Sequence, residues 1–218
     1  MPPILRLYED TIGGEIGGVR LPALPRVIFV VHGTAIVDGK SVADGEAWHG
    51  VGTATIAAGK HGVTLWRFEL TAGGSSGGTV FDLGVRSQEK LSAVLETLPQ
   101  GALLLRADSV AFPPGGCAFL HKHWGPGIRC LLDGGIRIDT HGRSTSYGPG
   151  SAWYETGADP VFAQAAADRP SRFIRVMVLP RALLGKSSFQ FVKEEDKAKP
   201  RVQQYKIFTD IPIATPND

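Results

Sequence analysis

Two stretches of this chain, about a hundred residues apart, carry the same order of strand, turn and strand. Val27–Val37 runs apolar up to Gly33 and continues with apolar residues at alternate positions, and Ile128–Ile138 does the same around Gly134 and Gly135. An apolar strand, a glycine turn and an alternating strand make a β-hairpin signature. Asp44–Gly50 is echoed by Gly148–Tyr154, and Thr64–Leu70 by Arg172–Val178. The offset grows from 101 to 105 to 108 residues, as small loop insertions would produce. Two β-rich halves of similar composition are the bland alternative, but three echoes in one order favour a duplication.

The turn-formers agree with a β reading. The 218 residues include 28 Gly and 15 Pro, too many for a helical bundle, because both residue types break helix interiors. Spread along a chain that is 43% hydrophobic, they suit many short strands joined by tight turns. The net charge of +2 comes without a basic stripe, so nucleic acid is not an expected partner. Cys117 and Cys130 form no disulfide framework, and Cys130 reads as a small buried hydrophobe. No apolar run is long enough for a membrane span, and Met1–Arg6 opens no secretory leader, so a cytoplasmic protein is expected.

Between the halves, Gly73–Gly78 reads as a flexible loop. In Ser87–Leu98, Leu91, Val94, Leu95 and Leu98 fall at helical intervals, with Ser87 as N-cap and Pro99 closing the segment. One short connecting helix is expected there. Two further strand-like runs, Ser187–Val192 and Gln204–Ile213, flank a charged, solvated loop. They exceed the needs of the second half, so at least one is expected to cross back and complete the first sheet.

The chemistry concentrates between Gly116 and Phe162. His121-Lys122-His123 sets two imidazoles two residues apart, on one face of a strand. Neutral imidazole is a common ligand for zinc, iron, nickel and copper. Such a pair alone is weak evidence. Its place between Pro113-Pro114-Gly115-Gly116 and a glycine-turn hairpin gives it more weight.

Here the chain resembles the cupin superfamily. Gly115-Gly116, His121-Lys122-His123 and the closing Gly134 match that family's first motif, and Tyr147-Gly148-Pro149-Gly150 its second. With the repeat, the resemblance covers nearly the whole chain as a two-barrel protein. It implies an all-β fold of tandem double-stranded β-helix barrels: residues 1–85 without a metal motif, a helix over 86–100, and 101–218 with the site. The first-motif glutamate is replaced by Gly125-Pro126-Gly127, and the second-motif histidine by Asp159-Pro160-Val161-Phe162. One reading is a cupin that has lost its metal. The other brings in Glu155 as a third ligand beside His121 and His123, holding a divalent Fe, Mn, Ni or Zn ion. Glu155 has two further readings, a general base and an ion-pair partner.

Arg129 and Arg175 lie within apolar runs; if they face inward they clamp a substrate carboxylate, and if outward they are solvated. Arg129 is also a candidate for the catalytic machinery with Glu155. Tyr147, Trp153 and Phe162 are candidate pocket walls, against the commoner role of strand aromatics in a core. His32, His49 and His61 stand alone and are not read as ligands. The expected function is a metal-dependent dioxygenase, isomerase or lyase acting on a small polar or anionic molecule. A non-catalytic small-ligand sensor and a structural dimer are the alternatives. A homodimer is the expected assembly in each case.

Overall fold

The computed structural model describes residues 1–72 and 78–214, so the expected loop at Gly73–Gly78 lies outside the described residues except for Gly78. Among them, extended chain dominates and the helical content is two short 3-10 turns, Arg181–Leu183 and Glu194–Ala198. No helix is long and apolar enough to cross a membrane. Two compact units divide the chain. One holds Met1–Glu96 and the segment from Ile213, the other Thr97–Pro212.

The first unit contains β1 (Ile4–Ile12), β2 (Val19–Leu21), β3 (Arg26–Val37), β4 (Lys40–Ala43), β5 (Ala47–Gly50), β6 (Ala54–Thr71) and β7 (Val85–Val94). They form one antiparallel sheet in the order β4-β3-β6-β1-β7, with β2 on β6 and β5 on β3. Ile28, Val30, Ala35, Val37, Ile56 and Leu65 face one hydrophobic core. The strand-turn-strand motif at Gly33 is a continuous β3 whose pairing with β6 shifts register beside that glycine, rather than a hairpin. Gly33 sits at φ 90°, and a Cβ there would lie 2.2 Å from the Gly62 carbonyl oxygen, so a side chain is excluded.

The second unit contains β8 (Leu103–Phe112), β9 (Cys117–His123), β10 (Gly127–Asp133), β11 (Ile136–Thr140), β12 (Arg143–Tyr147), β13 (Ala152–Glu155), β14 (Val161–Ala165), β15 (Ser171–Pro180), β16 (Phe189–Phe191) and β17 (Gln204–Ile213). These make two five-stranded sheets, β13-β10-β15-β8-β17 and β12-β11-β14-β9-β16. Side chains from both, including Val110, Leu131, Ile138, Trp153, Val161 and Phe173, share one core. Period-two alternation sorts them.

The connecting helix is not formed. Residues 85–94 are strand β7, paired antiparallel with β1. The pairing slips by one residue between Leu7↔Leu91 and Tyr8↔Glu89, leaving Lys90 as a bulge. Beyond it Ala93 and Leu95 are buried while Val94 is exposed, the alternation of a strand. Ser87 caps nothing, and its hydroxyl donates instead to Asp10. The strands after Pro180 also pair differently from expectation, β16 on β9 and β17 on β8. The free flank of β1 is taken by β7, so no late strand is needed there.

A buried ion pair recurs in both units. Arg67 on β6 donates to Asp10 on β1 at 2.7 Å, and Arg175 on β15 donates to Asp108 on β8 at 2.9 and 2.8 Å. Arg67 and Arg175 are equivalent in the repeat, 108 residues apart. All four side chains are buried. A desolvated charge is tolerated only when its partner stays in place. Asp108→Ala should therefore destabilise the second unit by about 3–5 kcal/mol. The double variant Asp108→Leu with Arg175→Met should recover most of that loss in denaturant unfolding. A double variant as unstable as the single one would contradict the pair's role.

Candidate functional site

The histidine pair lies on β9, where Ala118, His121 and His123 are buried and Lys122 is exposed. Both imidazoles therefore enter the barrel, as the strand period requires. The His121 Nδ1 donates to the Phe119 carbonyl at 2.8 Å, which leaves its Nε2 as a lone-pair acceptor. On His123, Arg175 Nη1 stands 3.3 Å from Nε2 and Ser188 Oγ stands 3.3 Å from Nδ1. A guanidinium only donates, so this Nε2 is also an acceptor and Nδ1 carries the proton. Burial pushes His121 down to about 4 and His123 well below its ordinary value, with Arg175 adding to the effect on His123. Both rings are neutral at pH 7.

Glu155 reaches the same place from β13. Trp153 Nε1 donates to its Oε1 at 2.8 Å. Its Oε2 lies 2.8 Å from Arg129 Nη2 and 3.8 Å from His123 Nε2. The arginine contact is an ion pair without hydrogen-bond alignment, so Oε2 is buried with no donor of its own. Arg129 turns one nitrogen to the Gly127 carbonyl at 2.6 Å, and burial holds its pKa down at about 10.

The position of this carboxylate answers the gap in the first motif. Gly127, in the stretch where the family's glutamate belongs, is the direct cross-strand partner of Glu155. A Cβ at Gly127 would fall 2.3 Å from the Val176 carbonyl oxygen, so β10 cannot carry a side chain there. The acid group enters from the adjacent strand instead.

His121, His123, Arg129, Glu155 and Arg175 all line one cavity of about 20 Å³, with Tyr205 and an otherwise apolar wall. That is room for about one water or one ion. Both arginines thus face inward, but neither stands as a free clamp, because Glu155 and Asp108 already neutralise them. Three aromatic assignments are corrected. Trp153 is buried in the core and orients Glu155 without lining the cavity. Tyr147 stacks on Trp153 at 4.8 Å and edges a separate surface groove of about 730 Å³ at the glycine turns. Phe162 alternates with the buried Val161 and Ala163 and points outward, 6.0 Å from the Arg137 guanidinium. Asp159 sits apart, bonded to Thr156.

Several site residues had not been singled out. Phe189 stacks on His121 at 4.3 Å, Ser188 orients His123, Asp108 holds Arg175, and Tyr205 closes the wall. None of them had a signal in the repeat: Asp108 faces Arg175 directly, whereas the residue facing Arg67 is Tyr8. Phe189 and Tyr205 come from β16 and β17 and Ser188 directly precedes β16, strands that pair differently from expectation.

Does this donor set suit a metal ion? As they stand, the described residues include no group of three or more His, Cys, Asp or Glu placed to hold one. The chemistry of the donors is nevertheless that of a cation site. Two neutral imidazoles and a carboxylate whose Oε2 accepts no aligned hydrogen bond line one cavity, and the positive groups against them are guanidinium nitrogens. Arg175 Nη1 stands in for a cation at His123 and remains doubly bonded to Asp108 without that contact.

No family model and no curated protein matches the chain. Solved structures do. The oxalate decarboxylase of Lactobacillus farciminis, in a formate complex, superposes with TM-score 0.65 at 13% identity, over 89% of this chain and 82% of that one. A deletion mutant of Bacillus subtilis oxalate decarboxylase OxdC gives 0.63 at 13% identity, over 89% and 73%. AerE from Microcystis aeruginosa gives 0.59 at 13%, over 82% and 88%. At such identities the likeness speaks to fold alone: the chain is all-β and has the cupin fold.

Proposed function

We propose that this chain is a metal-dependent cupin enzyme whose second barrel acts on a small carboxylic acid, by lyase, isomerase or dioxygenase chemistry. One observation carries the reading: His121, His123 and Glu155 line one cavity, and Glu155 Oε2, ion-paired with Arg129, accepts no aligned hydrogen bond there. These three would hold the ion, a divalent Fe, Mn, Ni or Zn. When bound it would supply Lewis-acid polarisation of a substrate oxygen or activation of a coordinated small molecule. Phe119 and Ser188 fix the two imidazoles as neutral donors. Trp153 holds Glu155 by its other oxygen. Arg129, freed from Glu155 once that carboxylate turns to the ion, is the group that orients a substrate carboxylate. Two structural neighbours are named as oxalate decarboxylases, which supports a small acid as the substrate class.

Elemental analysis after loading should find close to one ion per chain. His121→Ala should abolish binding, and Glu155→Gln should weaken it at least tenfold. Full occupancy in Glu155→Gln would reassign that residue to acid–base work. A second reading, a sensor without turnover, rests on the guanidiniums already being neutralised by Glu155 and Asp108. A chain that refuses metal but binds a small acid in calorimetry would establish the sensor instead.

The neutral imidazoles also set a pH limit. An unfolded histidine takes its proton near 6.5, whereas folded His121 takes it at about 4. Between those values the unfolded state binds more protons, so stability should decline as the pH falls from about 6.5 to about 4. Denaturation midpoints across this range should show the slope, and His121→Phe should flatten it.

A further inference from the structure

One residue of the cavity wall differs from the rest in its exposure. Of the residues lining the cavity, all are buried except Tyr205, which is 48% exposed. Its ring therefore reaches from the cavity wall to solvent. Tyr205 is the second residue of β17, at the outer edge of the sheet β13-β10-β15-β8-β17, just after the irregular stretch that follows Pro200. An edge strand has hydrogen-bonded neighbours on one flank, and its first residues are the easiest part of a sheet to displace.

Charged groups of both signs surround the phenol. Arg175 and Arg201 lie within electrostatic reach of it, with Asp108 the opposing group. Asp108 is committed to Arg175 at 2.9 and 2.8 Å. Arg201 is exposed and packs its guanidinium over Phe189 and Phe191, at 5.3 and 4.6 Å. The other apparent cover is β16. Phe189 stacks on His121, but it is backbone-paired to β9 in the register Phe189↔His123, and it does not line the cavity. It serves as a fixed buttress.

We infer that Tyr205 is the gate of the histidine–glutamate cavity, and that small molecules enter past its ring beside Arg201. The gate rests on geometry that holds with or without a metal, so it can be tested on the full chain with no metal added. The probe is diethyl pyrocarbonate, which carbethoxylates accessible neutral imidazoles, read peptide by peptide in mass spectrometry. His121 and His123 are 5% and 6% exposed, whereas the His141 side chain is 62% exposed and serves as an internal reference.

In the native chain the His121–His123 peptide should react at least tenfold more slowly than the His141 peptide. Tyr205→Ala should raise its rate about tenfold and leave His141 unchanged. Tyr205→Phe, which keeps the ring, should behave as native. Buried Cys130 reports on barrel integrity through its resistance to a thiol reagent, and if it becomes reactive in Tyr205→Ala, Tyr205→Val is used in its place. A native-like rate in the ring-deleted variant would overturn the proposal. So would opening of the cavity by Phe189→Ala in its stead. Neither result bears on metal binding, so failure of the gate is distinguishable from failure of the enzymatic reading.

Discussion

Burying a guanidinium inside a small β-barrel is tolerable only if a carboxylate is built in beside it, and this constraint organises both units. Arg67 with Asp10 and Arg175 with Asp108 join equivalent strands, although Asp108 faces Arg175 directly whereas Asp10 lies two residues along β1 from Tyr8, the residue that faces Arg67. The first unit adds Arg26 and Glu69 to its pair, and the four side chains form one network. The second adds Arg129 and Glu155 and, within the same cavity, two histidines. The charged layer common to both is scaffold, and in each it leaves one buried carboxylate oxygen without an aligned donor, Glu69 Oε2 and Glu155 Oε2; the imidazoles are what the second unit has in addition.

That division changes how the arginines are understood. Arg175 occupies the place of Arg67, in a unit without a histidine pair, so its first duty is to brace β15 against β8. Its contact with His123 is secondary, and it fixes which ring nitrogen bears the proton. Arg129 has no counterpart of this kind, since Ile28 stands at the equivalent position of β3. It is held by Glu155 and a backbone carbonyl, and a rearranged carboxylate would release its Nη2 while the carbonyl still held Nη1. Of the two arginines, Arg129 is the better suited to meet a ligand.

The misread segment shows where periodicity fails. Leu91 and Leu95 are four apart, a helical interval, yet they also alternate with Ala93 along a strand whose phase was reset by one extra residue at Lys90. A bulge is visible only when the partner strand is known, and the partner, β1, lies some eighty residues earlier. The same blindness applied to β16 and β17. Their composition announced strands, but the flank on which each pairs depends on which edge is still open once everything else has docked.

By itself the sequence determined the all-β class, the inward aim of His121 and His123, and the candidacy of Glu155. Each of these follows from a local rule: turn-formers at short intervals and side chains alternating along a strand. Only the tertiary structure decided that Glu155 stands across from Gly127, that the arginines are paired, that Phe162 faces outward, and that Tyr205 joins the cavity wall. Those depend on cross-strand register, and register is set by bulges and by long-range packing that no local window of residues contains.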